Sequence, residues 1–148
     1  MKTKNSITIS IAIGALCVPI FYSVYGIVAN FDIEHRFLRW INIVPEEYRL
    51  SAGLFHSFII EMIAAIPIIA IAGIALGYLV KKNALLFGCI AVAAYFACGT
   101  IYSSILFERF VFSHYAPSVW YTISSIVAWI LLFITMTRIG ILMIEKRS

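Results

Sequence analysis

Charge is what this sequence has least of. Only 12% of its 148 residues are Asp, Glu, Lys or Arg, about half the share a water-facing domain uses to cover its surface. That excludes a soluble globular fold, and the 63% hydrophobic content places the chain in the membrane class. The net charge of +4 comes from cations at the ends of apolar runs, with no basic patch. Nucleic acid is therefore not an expected partner.

Reactive groups are sparse as well. The three cysteines, Cys17, Cys89 and Cys98, all lie inside apolar runs, and no CxxC pair exists. Thiol chemistry needs exposed, paired thiols, so these read as small packing residues. Ser103-Ser104 and Ser124-Ser125 lack a nucleophile-elbow context, and no glycine-rich phosphate loop is present. Metal sites need His or carboxylate ligands that converge. The sequence has no HxxxH or HxxE, and His56 and Glu61 fall about 140° apart around a helix. No cofactor is expected, and the reading leans away from an enzyme.

Long apolar runs are what the sequence does have. A bilayer core takes about 20 helical residues, and four stretches meet that length: 7–29, 51–80, 84–107 and 118–144. The first is too long for a signal-peptide core of about 7–15 residues and reads as a retained span, with Pro19 inside it. Lys81, Lys82 and Asn83 leave a very short turn, which predicts that spans two and three form a tight antiparallel hairpin. The fold class expected is an all-α membrane protein, a single four-helix bundle over 1–148.

Between the first two spans, Ile33, Phe37, Trp40 and Val44 recur at helical spacing opposite Asp32, His35, Arg36 and Arg39. That pattern predicts an amphipathic interfacial helix over 31–44. Pro45-Glu46-Glu47 then suits a helix start, with proline in the first turn and carboxylates at the positive dipole end. Lys2, Lys4, Lys81, Lys82, Arg138, Lys146 and Arg147 fall on one side of the spans. The positive-inside rule makes that side cytoplasmic, giving a multi-pass protein of the inner membrane with both termini inside. Tyr22, Tyr25, Trp40, Tyr48, Tyr102, Tyr115, Trp120 and Tyr121 crowd the other boundary as an aromatic belt.

Spanning helices associate through small and polar residues, since lipid tails are as apolar as leucine. Ser57, Glu61, Ala65, Ile68, Ala72 and Ala75 share one stripe of span two. Ala93, Ala97, Thr100, Ser104 and Glu108 share one of span three, and Ser118, Thr122, Ser125 and Trp129 one of span four. These stripes are expected to face inward. Gly73 and Gly77 offer a second close-approach surface, for span three or for a partner.

Glu61 is the only formal charge between Ser51 and Val80, and an ionisable residue in a span is a functional candidate by default. Counting about 20 residues back from Lys81 puts it near the outer boundary, where water, Ser57 or Arg109 would satisfy it. Glu61, Glu108, Arg109, His56, His114, His35 and Trp40 together form the candidate partner or substrate vestibule, with Gly73, Gly77, Ala93 and Ala97 for helix packing. The leading expectation is a non-enzymatic protein that binds another membrane protein, as an accessory subunit or an immunity-type inhibitor, with the bilayer and a protein partner or second copy as its contacts. The alternatives are a small proton-coupled transporter or channel using Glu61, dimerised through Gly73 and Gly77, and an outer-face metal or quinone enzyme.

Overall fold

The computed structural model describes residues 3–30, 42–107 and 119–146. Among them every regular element is α-helical: α1 Thr3–Asn30, α2 Glu46–Val80, α3 Ala84–Phe107 and α4 Val119–Glu145. All four are long and apolar enough to cross a membrane. The helix expected over 31–44 lies almost wholly outside the described residues; 42–44, its described end, is a turn. Pro45 is the N-cap of α2, and Glu46 and Glu47 occupy its first turn. Arg49 holds this start, donating to the Val44 carbonyl at 3.0 Å and pairing with Glu46 at 3.5 Å. With 35 residues, α2 runs for about 52 Å, well beyond a hydrocarbon core of about 30 Å.

The bundle is a ring in the order α1–α2–α4–α3, so α2 and α3 sit across the diagonal and scarcely touch. The tight hairpin expected from the short turn does not form. Lys81 does cap α2 in the left-handed region, φ 59°, with its N–H on the Gly77 carbonyl at 3.0 Å. Asn83, φ 50°, turns the chain into α3. What overrides the turn is close packing elsewhere. Gly73 and Gly77 lie against α4: a Cβ added at Gly77 would strike the Thr137 carbonyl and come within 2.9 Å of Gly140 Cα. Gly14 lets α1 approach the Ala91 backbone of α3 in the same way. Residue numbers rise together across both contacts, so α1–α3 and α2–α4 are parallel pairs. The glycine face is therefore filled from within the chain, by α4 and not by α3.

Two of the expected stripes are redrawn. In α3 the buried face is Phe87, Ala91, Val92, Tyr95 and Ser103, whereas Ala93 and Ala97 are exposed. In α2 the stripe holds through Glu61, Ala65 and Ile68, then veers to Gly73, Leu76, Gly77 and Val80, leaving Ala75 exposed. In α4, burial recurs at Tyr121, Ser125, Trp129, Phe133 and Thr137, a strict i, i+4 ridge of the kind that seats in a neighbour's groove. The outer surface is the reverse of a soluble protein's, with residues such as Ile71, Ile105 and Leu131 more than half exposed.

Candidate functional site

The i, i+4 ridge of α4 carries its polar atoms at the level of Glu61. Glu61 is only 7% exposed, and its carboxylate takes three hydrogen bonds from that one ridge. Tyr121 Oη donates to Oε2 at 2.8 Å, Ser125 Oγ donates to Oε1, and Trp129 Nε1 donates to Oε1 at 3.1 Å. The donors are four residues apart, one per turn of α4, which is why a single helix face can serve both oxygens. Among the described residues no cation lies within 4.0 Å of Glu61; the one ion pair at that range is Arg49–Glu46. Burying a carboxylate costs several kcal/mol, and each neutral donor to a charged acceptor returns about 1.5–3 kcal/mol. The three donors are therefore what allows this residue to occupy the interior.

Aromatic rings wall the site. Trp129, fully buried, stacks on Tyr95 of α3 at 4.0 Å between ring centres and 16° between planes. Phe21 of α1 meets the same indole edge-on at 5.5 Å and 72°, and Phe96 meets it at 6.1 Å. The indole is thus locked with its N–H aimed at Glu61. On the α1 side, Tyr22 shares a hydrogen bond with Ser103 and packs against Tyr102 at 5.2 Å. Of the aromatic residues expected at the outer boundary, Tyr22, Tyr25, Tyr102 and Tyr121 are partly or wholly buried within the bundle, whereas Tyr48 and Trp120 are exposed.

Beside Glu61 is a cavity of about 70 Å³ to which all four helices contribute, including Tyr22, Tyr25, Gly99, Thr100, Tyr121 and Ser125. A water needs roughly 10–15 Å³ of such space, so the chamber holds a few water-sized groups. It is far below the roughly 300–1,000 Å³ of a drug-sized ligand pocket. Among the described residues no Lys, Arg or His lines it.

The expected vestibule is thus brought together only in part. Glu61 heads the site; His56 is on α2 but does not line the chamber. His35, Trp40, Glu108, Arg109 and His114 lie outside the described residues, as does any pairing of Glu61 with Arg109. Among the described residues no three His, Cys, Asp or Glu side chains gather in a way that could hold a metal. All three cysteines are unpaired.

Sequence reasoning set Ser125 and Trp129 on one stripe and Glu61 on another without joining them, and assigned Tyr121 to the membrane surface. The signal was there: hydrogen-bond donors at 121, 125 and 129, one turn apart in an otherwise apolar helix, call for a buried acceptor, and Glu61 is the one carboxylate in the apolar runs. No protein-family model, curated protein or solved structure matches this chain.

Proposed function

We propose that this chain is a multi-pass protein of the cytoplasmic membrane, with both termini inside, that works as a small proton-coupled transporter centred on Glu61. Support for the membrane setting is the inverted polarity. Glu61, Ser6, Ser10, Ser103, Ser125 and Thr137 are buried while many leucines and isoleucines, Leu16, Ile71, Ile105 and Leu131 among them, face out, an arrangement that aggregates in water and suits lipid. Support for the orientation is that Lys4, Lys81, Lys82, Arg138 and Lys146 belong to one end of the bundle.

The observation that carries the transport reading is a carboxylate buried against a chamber shared by all four helices, with neutral donors on both oxygens and no cation among the described lining residues. Ionisable residues inside membrane spans mark substrate paths and proton relays. The donors to Glu61 all come from α4, so any movement of α2 against α4 changes the stabilisation of its charge. Pro67 in α2 and Pro19 in α1 remove backbone hydrogen bonds where such helices can bend.

Reconstituted vesicles carrying an internal pH indicator test this. Outward gradients of sodium, potassium and ammonium chlorides are imposed in turn, with a proton-permeable control to separate leak. Wild-type protein is expected to couple at least one of these gradients to proton movement, and Glu61→Gln to abolish the coupling. Unchanged pH-dependent flux in Glu61→Gln would sink the proposal.

One observation favours the partner-binding reading instead. An apolar groove of about 420 Å³ runs along the outside of α1 and α2, past Leu16, Ile20, Pro67 and Ile71. Co-purification in mild detergent checks that reading, and recovery of a lone monomer under varied conditions counts against it.

A further inference from the structure

We infer that the Glu61 chamber accepts a small monovalent cation of the ammonium class, ammonium itself or methylammonium; this rests on Glu61 being the working group. The reason is in what the walls can offer a guest. Tyr121 and Ser125 turn their single hydroxyl hydrogens onto Glu61, and Thr100 turns its own onto the Phe96 carbonyl at 2.8 Å. Any further contact these oxygens make is as acceptors. The indole N–H of Trp129 is likewise directed at Glu61, and helical backbone amides are already engaged. At this end of the chamber the Glu61 carboxylate and the Tyr121, Ser125 and Thr100 oxygens therefore meet a guest as acceptors, which favours a guest that brings donors or positive charge.

Aromatic rings make up the rest of the wall: Phe21, Tyr22, Tyr25, Tyr95, Phe96 and Tyr121. Aromatic faces attract cations; of these rings, Tyr95 has one face covered by Trp129 and Phe21 stacks on Tyr25. One carboxylate is a poor match for a divalent ion, which takes about six to eight oxygens and usually several carboxylates. Size points the same way. A cavity of about 70 Å³ has room for an ammonium or methylammonium ion together with water. Ammonium has N–H groups for the carboxylate and hydroxyl oxygens and a compact charge for the rings, whereas sodium and potassium have only the charge.

Calorimetric titration of the intact protein in detergent micelles tests this, at constant pH and ionic strength, with ammonium, methylammonium, sodium and potassium chlorides. Saturable binding of ammonium and methylammonium is expected, with sodium and potassium weaker by about tenfold or more. Glu61→Gln should weaken ammonium binding by about tenfold or more. Gly99→Val should block it too, because Gly99 lines the chamber and a Cβ there meets nothing within 4 Å, leaving its methyls room to fill the space. The wild-type ion series decides the matter even if a variant fails to fold. Absence of saturable ammonium binding, equal binding of sodium or potassium, or undiminished binding in folded Glu61→Gln would each overturn the assignment. If ammonium fails to bind while Glu61-dependent proton coupling persists in vesicles, the substrate class falls and the transport reading stands. If both are absent, both fall.

Discussion

Replacing Gly77 by alanine probes the contact that sets the whole ring order. The added methyl carbon would be driven against the Thr137 carbonyl oxygen and would lie 2.9 Å from both Gly140 Cα and Ile141 N. Carbon atoms pack at about 3.5–4.0 Å, so α2 and α4 would have to separate by about 1 Å. All three obstructing atoms are backbone, and no rotamer change relieves them. Overpacking of this kind costs about 1–3 kcal/mol, set against the roughly 1 kcal/mol that alanine gains over glycine in a helix. A net loss of up to about 2 kcal/mol is expected. Gly53→Ala is the matched control, on the same helix with nothing within 4 Å of its Cβ, and it should be as stable as wild type or slightly more so. Unfolding in mixed micelles with increasing SDS, followed by near- and far-ultraviolet circular dichroism, gives both values. If Gly77→Ala unfolds with Gly53→Ala rather than well before it, the close α2–α4 approach is wrong, and with it the placement of α4 beside Glu61.

Two further outcomes follow from the site and from α3. Trp129→Phe keeps a ring against Tyr95 and Phe21 but removes the Nε1 donor that reaches Glu61 at 3.1 Å. It should lower stability by about 1–3 kcal/mol in the same unfolding assay, and an unchanged midpoint would deny that bond any weight. Ala91→Leu, at a fully buried position, should cost about 1–3 kcal/mol, while Ala97→Leu, at an exposed one, should stay within about 0.5 kcal/mol of wild type. The opposite order would restore the face that small-residue patterning had assigned to Ala93 and Ala97.

Those alanines show where sequence and structure part. The four helices were legible because length and hydropathy alone mark them, and the helix start at Glu46 was legible from Pro45 and its two following carboxylates. Which face of α3 turns inward was not. That helix is apolar all round, so periodicity has nothing to act on. The small-residue rule then chose Ala93 and Ala97, although the interior is filled by rings, with Tyr95 reaching across to Trp129. The diagonal placement of α2 and α3 was hidden for a related reason. A three-residue turn favours adjacent helices, but Gly73 and Gly77 fit α4, and Gly14 fits α3, and those close approaches decide the ring. Glu61 was recognised from its isolation in an apolar run. Its depth along the helix was read as an exposed edge, because linear counting from Lys81 gives height in the membrane and carries no information about lateral cover by Tyr121 and Trp129.

The most direct test of Glu61 as a proton-exchanging group is infrared difference spectroscopy on protein in lipid, recorded across a pH step in wild type and Glu61→Gln. The expected wild-type spectrum has a carboxylate stretch exchanging for a protonated carboxyl stretch. That pair should be missing in Glu61→Gln and displaced in Tyr121→Phe, which removes the 2.8 Å donor to Oε2. Superimposable spectra from wild type and Glu61→Gln would contradict it, leaving Glu61 as a fixed strut between α2 and α4.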